Sequence, residues 1–311
     1  MSREGDPAEI ERATVLICSR DRPEMVLDTV RSVLEGDTVP AEIVVVDQSS
    51  VENPALAELG AVRGCRVCYR ASATAGLSRG RNVGLRAASE DVVVLLDDDM
   101  FVAADWLGTL LGGLPDHPRG VATGRVLAAP EEGAGGTVPA AALVQRTEPA
   151  VYRGPQSFDV VPGANVALRR DTVLALGGYD ERLGAGTRFA SADDNDMGHR
   201  LLQAGCEVRF APAAVVYHRA WREPGELVRL RWGYGRGKGA FYAKHAGLRD
   251  RRMLRRATIE AARRVKRAAR ALPASPRGAL AELVSLLGMI SGGIDWVVRE
   301  RLPAIGKRRR P

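Results

Sequence analysis

Three consecutive acids, Asp97, Asp98 and Asp99, close the apolar run 92–96. Clustered carboxylates raise one another's pKa and resist desolvation, so such a group gains little unless a cation neutralises it. Side chains alternate along a strand, which would put Asp97 and Asp99 on one side and Asp98 on the other. That spacing predicts an Asp-x-Asp clamp. Oxygen ligands of this kind suit Mg²⁺ or Mn²⁺ bound together with a phosphorylated substrate, because those ions keep open positions for phosphate oxygens. The plainer alternative is a polar turn after a buried strand, since turns attract Asp.

A second acidic group, Asp193-Asp194-Asn195-Asp196, opens a helix expected to run to about Ala204 and stop at Gly205. Acids in a first helical turn cap free amides and favour the positive end of the helix dipole. At about 100° per residue, Asp194 falls on the face shared by Met197 and Leu201, whereas Asp196 points away and can pair with Arg200. Asp194 is therefore the acid expected to face inward as a base, with capping as the alternative. His218 follows the apolar run 214–217; alone it would be a structural hydrogen bonder, but beside a carboxylate cluster it is a candidate ligand. The run Trp232-Gly-Tyr-Gly-Arg-Gly-Lys-Gly239 matches neither the P-loop nor the dinucleotide fingerprint. A helix packed closely through small residues is the favoured reading of it.

Strands alternating with helices must position these groups. Thr14 to Cys18 reads as a strand; Pro23 then starts a helix whose stripe is Val26, Leu27, Val30 and Leu34, ended by Gly36. Ile43 to Val46 is a second strand closed by Asp47, and Arg66 to Tyr69 a third. Leu77 to Ala88 reads as a helix despite Gly80 and Gly84. This order predicts an α/β fold with a parallel sheet covered on both faces. Ligands collect at the carboxyl ends of such strands, where Ser19, Asp47 and Asp97 to Asp99 all fall. In the second half, Ala128 to Pro162 reads as a long loop. Val166 to Leu168 reads as a strand, Asp171 to Leu176 as a short helix, and Glu207 to Phe210 and Ala214 to Tyr217 as two short strands.

The 311 residues suffice for a full α/β core with a smaller appendage. Met1 to Ala13 shows no apolar secretion signal; the four cysteines are scattered except for the pair Cys65-x-x-Cys68, which lacks the second Cys or His pair a zinc site needs, so Cys18, Cys65, Cys68 and Cys206 read as reduced thiols of a cytosolic protein. Residues 1–245 carry 28 Lys and Arg against 33 Asp and Glu, and residues 246–311 carry 17 against 5, so the tail is +12 and the body −5. A polyanionic partner is implied for the tail. No aromatic residues interleave the basic run Arg249 to Arg270, which favours an anionic membrane surface over nucleic acid; a solvated basic helix is the alternative. Between Ala279 and Val298, Glu282 and Asp295 leave too short an uncharged stretch to span a bilayer. That segment is expected to lie in the interface or to pack on the body.

The series Val15-Leu-Ile-Cys-Ser-Arg-Asp-Arg-Pro23, Ile43-Val-Val-Val-Asp47, Gly76-Leu-Ser-Arg-Gly-Arg-Asn82, Leu96-Asp-Asp-Asp99, Gly163-Ala-Asn165, Gly177-Gly-Tyr-Asp180, Asp193-Asp-Asn-Asp196 and His218 resembles the family 2 glycosyltransferases of GT-A fold. The resemblance covers roughly residues 13–245, and its strength lies in eight pieces standing in the right order. It implies a GT-A catalytic domain at 1–245 and a basic helical extension at 246–311. It also implies transfer of a sugar from a nucleotide diphosphate-sugar to a glycan, lipid-linked or small-molecule acceptor, with inversion and with Mn²⁺ or Mg²⁺. Ser19, Arg20, Asp47, Arg79, Arg81, Asp97 and Asp98 match positions around the donor. Asp99 matches the principal metal ligand, helped by Asp97 and His218, and Asp194 matches the catalytic base. Two departures stand out: Asp193 replaces the usual Glu, and Cys18-Ser19-Arg20-Asp21 replaces the common Pro-Thr-Tyr-Asn, which leaves the nucleotide open. The expected setting is synthesis of cell-surface polysaccharide or glycoconjugate by a cytoplasmic enzyme peripheral on the inner face of the membrane, with no nucleic acid among its partners. The competing readings are a sugar nucleotidyltransferase, which should carry a Gly-rich pyrophosphate loop where Ser19 to Pro23 stand, and a non-catalytic membrane-associated adaptor, which would leave the acids idle.

Overall fold

The computed structural model describes residues 9–129, 143–220, 222–246 and 251–302. They form two compact units, one from the described residues of Met1–Asp180 and Met197–Trp221, the other from those of Glu181–Asp196 and Arg222–Pro311. Charge along the chain changes at about residue 245, whereas the division by packing falls earlier, because the Gly-rich helix before that point joins the helices after it.

The first unit is built on a ten-stranded sheet. Its strands are β1 (Glu9–Ser19), β2 (Thr38–Asp47), β3 (Ala61–Val62), β4 (Cys65–Ala71), β5 (Val92–Asp97), β6 (Met100–Val102), β7 (Gly120–Ala128), β8 (Ala150–Arg153), β9 (Val166–Arg169) and β10 (Glu207–His218). They lie in the order β3-β4-β2-β1-β5-β9-β7-β10-β6, with β8 beside β10. The pairs β1–β2, β1–β5, β2–β4 and β7–β10 are parallel, and β9 runs antiparallel between β5 and β7. Val15, Leu16 and Ile17 of β1 and Ile43 to Val46 of β2 are all buried, as both faces of a helix-covered parallel strand must be. The covering helices are α1 (Pro23–Leu34), α2 (Pro54–Ala57), α3 (Leu77–Ala87), α4 (Trp106–Gly112), α5 (Arg170–Ala175) and α6 (Asp193–Gln203). Gly84 is helical because α3 presses on β1: a Cβ there would stand 2.1 Å from Leu16 Cδ1.

Several elements differ from expectation. The region read as one loop contains β8, while residues 130–142 lie outside the described ones. The elements β6, α4 and β7 had no strong periodic signal. The two short strands expected around 207–217 are one strand, β10, whose register shifts between Ala211 and Val215. Pro212 lies inside that shift; lacking an N–H, it cannot continue the ladder, which is why the segment reads as two pieces.

In the second unit, α7 (Leu227–His245), α8 (Arg252–Ala271) and α9 (Pro276–Trp296) pack together. A Cβ on Gly239 of α7 would lie 1.9 Å from the Met289 carbonyl oxygen, and one on Gly292 of α9 would lie 2.0 Å from that of Arg236. The glycine-rich run is therefore a helix in backbone contact with another, not a phosphate loop. Phe241, Tyr242, Met253 and Met289 form one small core there, and Phe189 and Trp296 meet with tilted rings in a second. Ser275 caps α9 by accepting the Gly278 amide at 3.1 Å, and Pro276 takes the first helical position. By length and composition the segment Pro276–Arg301 is long and apolar enough to cross a membrane, a criterion that core helices also meet. Its acids are tied inside the unit, Glu282 to Arg264 and Arg267, and Asp295 to Arg188 and Arg236.

Candidate active site

The acids sit where β5 ends. Asp97 is the last residue of β5 and Met100 the first of β6, so Asp98 and Asp99 occupy the turn between them. The short β6 pairs antiparallel with the end of β10, bringing His218 opposite Met100. The Arg219 amide donates to the Asp99 carbonyl at 2.9 Å. As a result His218 Nε2 stands 3.7 Å from Asp99 Oδ1, with both side chains buried. His218 Nδ1 lies 3.0 Å from the Arg219 carbonyl oxygen. In the neutral ring, donation from Nδ1 to that carbonyl leaves the Nε2 lone pair facing the carboxylate. With that tautomer the imidazole nitrogen and the carboxylate oxygen are two ligand atoms on facing sides, a donor pair that would fit a divalent ion. Among the described residues no three His, Cys, Asp or Glu side chains converge, so water or substrate oxygens would complete the coordination, as these ions prefer.

Arg22, just before α1, lies 2.9 Å from Asp98 Oδ1 and 3.2 Å from Asp99 Oδ2 through the same nitrogen. This revises the strand-alternation picture: regular pleating stops at Asp97, and the next two acids share one guanidinium. Asp98, expected among the donor contacts, turns inward instead. It is 2% exposed and accepts a 2.6 Å hydrogen bond from Ser19 Oγ. Burial pushes its pKa up to about 7, with Asp99 and Asp97 adding to the rise and Arg22 and Ser19 opposing it. Asp98 thus holds Ser19 and Arg22 in place. Arg22 itself was not singled out from the sequence. The available signal was a cation at a helix N-terminus, where the dipole disfavours positive charge unless an anion is near.

Arg81 is 3% exposed; it donates to the Gly163 carbonyl at 2.6 Å and reaches Asp97 Oδ1 at 3.3 Å. Its guanidinium also lies 5.2 Å from the centre of the Tyr179 ring. Beside it, Asn82 exchanges hydrogen bonds with the Tyr179 backbone, accepting at 2.7 Å and donating at 2.9 Å. Asn165, fully buried with φ 59°, accepts from the Trp106 indole and donates to two carbonyls, Arg125 and Ala214. The motif pieces that are scattered in sequence are therefore hydrogen-bonded to one another. Asp47 is 3% exposed and accepts from the Ser49 amide at 2.9 Å and the Tyr69 hydroxyl at 2.8 Å. Arg79 reaches the Ala75 carbonyl at 3.3 Å. Arg20 is exposed and lies 3.3 Å from Asp21, apart from the other donor candidates in its pairing.

Asp194 belongs to the second unit, in the first turn of α6. It is half-buried, whereas Asp196, expected to face out, is fully buried and lies 2.6 Å from Lys244 Nζ and 2.7 Å from His245 Nε2. Arg200, the expected partner of Asp196, donates to the carbonyls of Leu176 and Gly178. The wheel failed because it scored only apolar neighbours on α6, while the polar side chains that bury Asp196 come from α7.

A mostly parallel sheet with an acidic turn at the end of its central strand is the GT-A architecture of nucleotide-sugar transferases. Solved structures show the same fold. The mannosyltransferase PcManGT from Pyrobaculum calidifontis, in complex with GDP-Man and Mn²⁺, has TM-score 0.60 at 18% identity over 95% of this chain and 89% of that one. GalNAc-T7 with UDP, GalNAc and Mn²⁺ has TM-score 0.54 at 21% identity over 74% of this chain and 49% of that one. The profile of Glycosyl transferase family 2 matches residues 14–173, and the chain belongs to that family. It is 31% identical over 152 residues to the pre-mycofactocin glycosyltransferase of Mycobacterium tuberculosis, covering 46% of this chain and 30% of that protein. To the glucosyl-dolichyl phosphate glucuronosyltransferase of Haloferax volcanii it is 27% identical over 224 residues, covering 67% of this chain and 69% of that protein. The chain thus spans less than a third of the length of the first of these relatives.

Proposed function

We propose that the protein transfers a sugar from a nucleotide diphosphate-sugar to an acceptor hydroxyl, with inversion at the anomeric carbon and with a divalent metal. The observation that carries the reading is the facing pair Asp99 and His218 at the end of β5 in a family 2 chain. Asp99 and His218 would hold Mn²⁺ or Mg²⁺, with water or substrate oxygens completing the coordination, and its charge would stabilise the departing diphosphate; Asp97, paired with Arg81, would reach the ion only by moving from that pairing. Ser19, Asp47, Arg79 and Arg81 are the proposed donor contacts. Asp194 is the proposed base, accepting the proton of the attacking hydroxyl and contributing about 10²- to 10⁴-fold in rate. The complexes of similar folds with UDP or GDP-Man and Mn²⁺ support the donor class. The relative named for a glucosyl-dolichyl phosphate substrate supports a lipid-linked acceptor, and the proposed setting is glycoconjugate or cell-surface polysaccharide synthesis at the cytoplasmic face of a membrane.

The test is turnover of UDP- and GDP-sugars by the full chain with and without Mn²⁺, for wild type and Asp194→Asn. Transfer should vanish in the variant while nucleotide binding persists. Turnover within a few fold of wild type would place the base elsewhere.

A further inference from the structure

Arg219 touches both members of the facing pair through its backbone. Its amide donates to the Asp99 carbonyl at 2.9 Å, one rung beyond the last β6–β10 partners, Met100 and His218. Its carbonyl oxygen lies 3.0 Å from His218 Nδ1, the contact that leaves Nε2 toward Asp99. Outer partners of this kind fix the orientation of a ligand ring and tune its affinity for metal. Both contacts are made by the peptide of Arg219, and its side chain is engaged elsewhere. Nη1 lies 3.1 Å from Asp28 Oδ2 on α1, and the guanidinium stands 4.9 Å from the centre of the Phe101 ring on β6. The Arg219 side chain is 15% exposed and that of Asp28 39%. One side chain thus joins α1, β6 and the end of β10.

The sheet by itself holds β6 weakly. Three residues long, it stands last in the strand order, and its described ladder is with β10. Its other edge is served by α1. The Met100 and Val102 amides, two residues apart and so on one edge, donate to Thr29 Oγ1 at 3.3 Å and to Ser32 Oγ at 2.9 Å. Thr29 in turn donates to the Asp98 carbonyl at 2.9 Å. At the helical 100° per residue, Asp28, Thr29 and Ser32 fall within an arc of about 100° on α1. That face supports the acidic turn and β6, and Asp28 extends the support to β10 through Arg219. A partly exposed ion pair adds little to global stability, so bulk stabilisation is a poor account of this arginine. We infer that Arg219 is a positioning residue of the metal site: its peptide sets Asp99 and His218 against each other, and its guanidinium, anchored on Asp28 and Phe101, holds that peptide in place. This role rests on the reading of Asp99 and His218 as metal ligands and adds to it a residue whose side chain touches neither of them.

The test is binding of Mn²⁺ alone to the full chain, by calorimetry or electron paramagnetic resonance, with circular dichroism and melting temperature as controls. Charge and position predict opposite signs. Removing a cation near a divalent ion lowers repulsion and should tighten binding, whereas losing the tether should loosen it. Arg219→Met should weaken Mn²⁺ binding by about tenfold at an almost unchanged melting temperature. Arg219→Lys, which keeps a charge beside Asp28, should recover most of that loss. Phe101→Leu changes no charge and should weaken binding several fold. Arg219→Met binding Mn²⁺ like wild type or more tightly, while His218→Ala has weakened it, would overturn the inference and leave the metal reading standing. Should Arg219→Met fail to fold, Phe101→Leu decides, and unchanged affinity there overturns the inference in the same way. If His218→Ala also binds like wild type, the metal reading itself falls and the role of Arg219 with it.

Discussion

Arg22 reaches from the start of α1 to Asp99, Nη1 to Oδ2 at 3.2 Å, while Oδ1 of the same carboxylate faces His218. Arg22 therefore supplies positive charge at the position a metal would share. Removing that charge lowers electrostatic repulsion toward a divalent ion. Arg22→Gln should tighten binding of Mn²⁺ alone by several fold in calorimetry or electron paramagnetic resonance, and His218→Ala should weaken it by about tenfold or more. Unchanged affinity in both variants would remove the cation from this turn.

Asp196 and Asp194 should respond to substitution in opposite ways. Asp196 has no exposed surface and faces Lys244 and His245, so Asp196→Ala removes the acceptor shared by a partly buried ammonium and imidazole and should cost about 3 kcal/mol in urea unfolding. Asp194 is half-buried and Asp194→Asn keeps its shape and hydrogen-bonding oxygen, so that variant should change stability by less than about 1 kcal/mol. Equal costs at the two sites would contradict the burial pattern.

Gly239 and Gly233 lie on the same helix in different surroundings. A Cβ at Gly239 meets a backbone oxygen at 1.9 Å, whereas one at Gly233 meets Ala190 Cβ at 3.5 Å, an ordinary contact. Gly239→Ala should destabilise by about 1–3 kcal/mol, since backbone cannot yield as a side chain does. Gly233→Ala should stabilise by about 0.5–1 kcal/mol through helix propensity. The difference in melting temperature between the two variants is the readout.

Asp295 gives the helical unit a pH signature. Hydrogen bonding from Arg188 holds its carboxyl down to about 2 from the ordinary 3.8, helped by Arg299 and Arg236 and opposed by burial. A carboxylate whose folded pKa is depressed contributes stability that is present above the unfolded value and lost as pH falls through the folded one. The difference in melting temperature between wild type and Asp295→Asn should therefore be constant from neutral pH to about 5 and shrink between about 4 and 2. A difference that persists undiminished at the acid end would assign the effect to packing.

The order of β1, α1, β2, β4, α3 and β5 was legible because each carries its own period, a continuous β-branched run or an amphipathic stripe. The elements β6, α4 and β7 were not, since three residues of β6 show no period and Pro212 divided β10 into apparent halves. Within the candidate site, Asp97 to Asp99 were visible as an anomaly: acids at the end of an apolar strand. Arg22 offered only a weak signal, a cation at a helix start that the dipole disfavours, and which anion it meets is decided by the fold.

The sequence by itself determined the family, the alternation of strands and helices, the glycine run as a packed helix and the cationic bias of the tail, since these are properties of local pattern and composition. Only the tertiary structure decided that Asp98 turns inward, that Asp99 divides its oxygens between Arg22 and His218, and that Asp196 rather than Asp194 is sealed. The physical reason is shared. Burial and pairing of a charged or apolar side chain are set by groups from other elements, and the distance between those elements is a product of folding that no local periodicity records.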